Sequence, residues 1–155
     1  MNTCDLKIAR KRIQAYCSYQ ERCHQEVNKK LKSWGLTPKE INFLINELIQ
    51  FNFLNEERFA RSFSRGRFRI KKWGKNKIRF ELKKRGIYDK WINLAIEEID
   101  EKTYFKTLID LLEKKTEQEN ITNSNRRKLK IIDYLASKGY EYDLIRNALD
   151  EMNYN

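Results

Sequence analysis

The chain has 155 residues, of which 33 are Lys or Arg and 22 are Asp or Glu, giving a net charge of +11 at pH 7. A 35% charged and 40% hydrophobic composition suits a folded, charge-rich helical protein and excludes long disordered spans. The opening Met1-Asn2-Thr3-Cys4-Asp5-Leu6 has no apolar run of signal-peptide length, and runs such as Phe43-Leu44-Ile45 are soon broken by polar residues. A cytoplasmic protein without a membrane contact is therefore expected.

Taken from the N-terminus, the first chemistry-bearing residues are Cys4, Cys17 and Cys23. Three clustered cysteines do not describe a disulfide framework, so they are expected as reduced thiols. No CxxC pair or second ligand cluster accompanies Cys17, Cys23 and His24, and no metal site is expected. His24 has no evident partner in the sequence.

Gly35, Gly86 and Gly139 then mark a repeat, lying 51 and 53 residues apart. Eight residues before each stands Val27, Ile78 or Ile131, and four before stands Leu31, Leu82 or Leu135. Six residues after come Ile41, Ile92 and Ile145. At nine, ten and thirteen after come Leu44/Ala95/Ala148, Ile45/Ile96/Leu149 and Leu48/Ile99/Met152. These offsets describe two amphipathic helices joined through one glycine, which ends the first in the left-handed conformation at no side-chain cost. In the first repeat Thr37-Pro38-Lys39-Glu40 forms a capping box with proline at the first helical position.

A further helix precedes each pair. In the second repeat Asn55 caps it, Glu56 and Glu57 fill the first turn, and Phe59, Phe63, Gly66 and Ile70 fall on one face. Arg58, Arg61, Arg65, Arg69 and Lys72 form a stripe on the opposite side. In the third repeat the helix runs near Lys102 to Glu117 through Tyr104, Phe105, Leu108, Leu111 and Leu112, and Gln118 to Asn125 reads as a loop. The whole is all-α: three tandem three-helix repeats over residues 1–54, 55–100 and 101–155, forming an elongated, curved helical-repeat monomer.

The repeats differ in charge, with nine basic residues against five acidic, fourteen against seven, and ten against ten. From Arg58 to Arg85 thirteen basic residues face only Glu81, interleaved with Phe59, Phe63, Phe68, Trp73 and Phe80. Such a field attracts a polyanion, and the arginine forks suit phosphate. The candidate DNA- or protein-binding residues are Arg58, Arg61, Arg65, Arg67, Arg69, Lys71, Lys72, Trp73, Lys75, Lys77, Arg79, Lys83, Lys84 and Arg85, with Trp73 as a stacking surface. Phosphate-directed charge carries no sequence information, so base-specific reading is not expected. The neutral third repeat, bearing Tyr134, Tyr140, Tyr142 and Tyr154, suits a protein interface. No nucleophile motif, phosphate loop or HExxH is present, and the acidic pairs Glu56/Glu57, Glu97/Glu98 and Asp150/Glu151 fit helix surfaces. No catalytic residue or cofactor is expected.

The segments Phe53-Leu54-Asn55-Glu56-Glu57-Arg58-Phe59-Ala60 and Trp73-Gly74-Lys75-Asn76-Lys77-Ile78-Arg79-Phe80-Glu81-Leu82-Lys83-Lys84-Arg85-Gly86-Ile87 resemble the RecX regulatory proteins, and the likeness extends from about Ala15 to Met152. Asn55 stands where that family more often has Asp, Lys75 where Pro is usual, and Cys23 where a capping Ser is common. The resemblance implies three three-helix repeats and binding along the groove of the RecA filament on single-stranded DNA. It also implies modulation, as inhibition, of strand exchange, ATP hydrolysis and co-protease activity. Double-stranded DNA is a second possible ligand, and a general nucleic-acid-binding repeat protein unrelated to recombination is the alternative.

Overall fold

The computed structural model describes residues 5–152, so Cys4 and Tyr154 lie outside the described residues. Within them the chain forms nine helices and no strands. The first three are α1 (Leu6–Tyr19), α2 (His24–Ser33) and α3 (Pro38–Gln50). There follow α4 (Glu56–Lys71), α5 (Lys75–Lys84) and α6 (Asp89–Glu97), and then α7 (Glu101–Gln118), α8 (Ser124–Ser137) and α9 (Tyr142–Glu151).

Gly35, Gly86 and Gly139 each carry a positive φ, of 80°, 78° and 105°, and each sits between the second and third helix of a triplet. The residue after each glycine, Leu36, Ile87 or Tyr140, turns back into the core and is buried. Ile87 and Tyr140 donate their N–H to Leu82 O and Leu135 O, both at 3.2 Å, closing the last turn as a Schellman-type cap. Val27, Ile78, Ile131, Leu31, Leu82 and Leu135 are all fully buried, so the spacing that defines the repeat is the spacing of its core. The Thr37–Glu40 capping box forms, with Glu40 N–H donating to Thr37 Oγ1 at 3.2 Å and Thr37 N–H to Glu40 Oε1 at 2.9 Å.

Two helix details differ from expectation. Ile70 does not continue the apolar face of α4; it is 80% exposed, and Phe68 is buried in its place. The buried arc is broader and turned toward Ala60 and Ser64, because α6 packs along those small side chains, with Ser64 Oγ donating to Ala95 O at 3.4 Å. The polar stretch after α7 is also shorter than Gln118 to Asn125. Asn123 accepts from Arg126 N–H at 3.0 Å and starts α8 at Ser124, as short polar side chains do at helix starts.

The core is divided unequally. One apolar cluster joins α4–α6 and α7–α9 continuously, from Phe59 and Leu82 to Leu108 and Leu149, and takes in Cys23 from the first triplet. A second cluster, built on Ile13, Leu31 and Leu44, belongs to α1–α3 alone.

Candidate nucleic-acid interface

The basic stripe of α4 begins with residues committed to the fold. Asn55 Oδ1 accepts the Arg58 N–H at 2.9 Å and sets the start of the helix. The Arg58 guanidinium then reaches Glu21 Oε1 at 2.5 Å, Asn52 O at 3.0 Å and Phe53 O at 3.3 Å, tying α4 to the first triplet. Arg61 bridges Glu57 at 3.1 Å and Glu98 at 2.5 Å, and Arg65 meets the other Glu98 oxygen at 2.9 Å. The hydrogen bond from Arg61, reinforced by Arg65, holds the Glu98 carboxyl below the usual carboxylate range against the opposing effect of its partial burial. Three further candidates are also paired: Lys75 with Glu101 at 2.9 Å, Lys83 with Asp89 at 3.5 Å and Arg85 with Glu81 at 2.8 Å.

The remaining cations lie from the end of α4 onward. Among the described residues no carboxylate lies within 4.0 Å of Arg67, Arg69, Lys71, Lys72, Lys77, Arg79 or Lys84. Arg69, Lys71, Lys72, Arg79 and Lys84 are exposed, and Arg79 is steadied by a 2.7 Å bond to Asn93 Oδ1. Trp73 is half-buried, edge-on to Phe63 at 6.2 Å between ring centres. The Lys77 ammonium and Arg67 guanidinium lie 4.7 and 5.5 Å from its ring centre. Its ring is thus packed within the repeat, while Phe80, an interleaved aromatic outside the candidate set, is 65% exposed on α5.

The start of α5 is held from the third triplet. Gly74 offers no side-chain cap, and the first free N–H groups of the helix are satisfied across the junction. Gly74 N–H donates to Lys138 O at 2.7 Å, Asn76 N–H to Gly139 O at 2.9 Å, and Lys75 N–H to Tyr104 Oη at 2.8 Å. The Tyr104 hydroxyl in turn donates to Glu141. From the other side Tyr140 Oη donates to Lys72 O at 2.9 Å and Lys138 Nζ to Lys71 O at 2.7 Å. Burial first, and the Lys77 and Lys71 ammonium groups second, push the Lys138 pKa down.

Two consequences follow for the third triplet. Tyr140 is 1% exposed and belongs to the core and the junction, so it is no free interface anchor, whereas Tyr142 is exposed. Lys138 extends the basic surface onto a triplet whose sequence is neutral. The Lys138 contact was not legible from the chain, because it joins residues more than sixty positions apart, whereas the burial of Tyr140 follows from its place after Gly139, the repeat position of Leu36 and Ile87.

Other chemistry is structural. Cys17 and Cys23 are buried, and burial pushes both thiols up to about 11, far from the thiolate needed for reactivity. His24, without an evident partner in the sequence, lies with Nδ1 3.4 Å from Glu56 Oε1. Among the described residues no three His, Cys, Asp or Glu side chains converge as metal ligands, and no helix is long and apolar enough to cross a membrane.

Residues 55–96 match RecX, second three-helix domain, and residues 102–149 match RecX, third three-helix domain. The regulatory protein RecX of Prosthecochloris aestuarii is 31% identical over 98% of this chain and 98% of its own length. The chain belongs to the RecX family. Regulatory protein RecX of Bacillus mycoides is 27% identical over 89% of this chain, which spans only 51% of that longer relative. RecX from Lactobacillus salivarius superposes with a TM-score of 0.83 at 27% identity, covering 96% of both chains. The two matched RecX domains correspond to α4–α6 and α7–α9, and so include the carboxylate-free cations and the junction that positions them.

Proposed function

We propose that this RecX-family protein is a non-enzymatic regulator that binds RecA filaments on single-stranded DNA and inhibits their strand exchange, ATP hydrolysis and co-protease activity. Family membership supports the regulatory role. The observation that carries the DNA contact is the group of cations without carboxylate partners at the end of α4 and along α5. Cations already paired internally have little left to offer a phosphate, whereas unpaired ones release counterions when a strand binds. Regulation then comes from occupying the filament groove, with α5 toward DNA or the acidic protein surface beside it.

The test is RecA-dependent ATP hydrolysis on single-stranded DNA with and without the protein, together with its Arg69→Glu/Lys71→Glu/Lys84→Glu variant. Wild type should slow hydrolysis at amounts below one per RecA subunit, and the variant should lose both this effect and most DNA affinity. Arg61 and Arg65 are poor probes, because reversing them strands Glu98. DNA binding with no effect on RecA would make the chain a general nucleic-acid-binding protein, and DNA cleavage with divalent metal would refute a non-enzymatic role.

A further inference from the structure

Phe80 is the only exposed apolar side chain of α5, since Ile78 and Leu82 are fully buried. It stands six residues before Gly86, and the corresponding positions of the other repeats hold Lys29 and Asp133, both exposed. The fold therefore asks for a solvated residue there, and no packing need accounts for a phenyl ring. Asn76, Arg79, Lys83 and Lys84 surround it in a shallow hollow open to solvent. Asn76, Phe80 and Lys84 follow one another a turn apart, about 6 Å along the helix.

We propose that Phe80 is a stacking platform for an unpaired nucleobase, with Arg79 and Lys84 on the flanking phosphates, and that this stack makes the protein favour single strands over duplex. The inference rests on the nucleic-acid reading above and deepens it. One ring among cations is too little apolar surface for a protein groove, which needs several anchors. It matches a strand whose bases are free to splay onto an aromatic face between charged phosphate contacts. Bases within a duplex are already stacked on one another and cannot use it. Lys83 contributes less, being shared with Asp89 at 3.5 Å.

The experiment measures binding of the full chain to a labelled single strand, the same strand with abasic sites, and the duplex, across a salt series. Phe80→Ala should weaken single-strand binding about 5- to 150-fold, the range of one base–aromatic stack, and leave duplex affinity unchanged. The slope of affinity against salt should not move, because no charge is lost. Abasic sites should weaken wild type to the level of the variant, and Phe80→Trp should restore binding where Phe80→Leu does not. Unchanged single-strand binding by Phe80→Ala, equal losses on strand and duplex, or full rescue by Leu would overturn the proposal. Loss of the effect on RecA with DNA affinity intact would also overturn it and make this face a protein contact. A wild type that binds neither strand nor duplex refutes the nucleic-acid reading itself, and this inference with it.

Discussion

Gly74→Ala places a single methyl group where the second and third triplets meet. The φ and ψ of Gly74 are −76° and 169°, ordinary extended values for alanine, so no torsional cost is involved. The cost is steric: the new Cβ would lie under 3.0 Å from Gly139 C and O and from Tyr140 N. These are backbone atoms, and they yield only if the two turns separate. Separation stretches the Gly74 N–H to Lys138 O and Asn76 N–H to Gly139 O bonds, each with a net contribution of about 0.5–1.5 kcal/mol. It also disturbs the Lys75 N–H to Tyr104 Oη contact, and the total expected loss is about 2–4 kcal/mol. Gly66 supplies the control, because a Cβ there meets nothing within 4 Å. Gly66→Ala inside α4 should stabilise the protein by about 0.5–1 kcal/mol. Urea unfolding followed by far-ultraviolet circular dichroism reads both. A Gly74→Ala protein within about 0.5 kcal/mol of wild type, the level of ordinary surface substitutions, would show that the junction adapts freely and does not fix α5.

Leu31, Leu82 and Leu135 are fully buried at one repeat position, so Ala at each should cost about 2–5 kcal/mol in denaturant melts. A loss at the surface level for one of them would place it outside the core. Glu98, with its pKa lowered chiefly by the Arg61 hydrogen bond, contributes stability that is present above the ordinary glutamate value of about 4.3 and lost as pH falls through its depressed folded value. Glu98→Gln should therefore flatten the acid limb of the stability profile, and an unchanged limb between about pH 2 and 5 would refute that link.

Local and periodic features were legible in the sequence. The positive-φ glycines, the Thr37 and Asn55 caps and the repeated core offsets each depend on residues within about a dozen positions, where spacing translates directly into helix geometry. The site was legible only as a region. Charge counting places the field between Arg58 and Arg85, but pairing partners such as Glu21, Glu98 and Glu101 come from other elements, so the sequence cannot separate Arg61 from Arg69. Trp73 and Phe80 show the same limit. The bulkier aromatic, in the turn between α4 and α5, packs onto Phe63 of α4, while the smaller one stands in solvent on the exposed side of α5. Comparing Phe80 with Lys29 and Asp133 in the repeat register is the signal that would have found it.

The unequal division of the core gives the chain one firm joint and one loose one. The second and third triplets share apolar packing and exchange backbone hydrogen bonds at Gly74 and Asn76. The first triplet carries its own core and meets the second through Cys23, the Arg58 bonds to Glu21, Asn52 and Phe53, the His24–Glu56 pair and the bond from Gln25 to Lys84 O. With less shared apolar packing, it is expected to open at a lower free energy than the joined pair, which hydrogen exchange would read. On the proposed reading, the carboxylate-free cations ride on the two triplets that share a core, and the triplet that precedes them is joined to that body by polar pairs and one buried thiol.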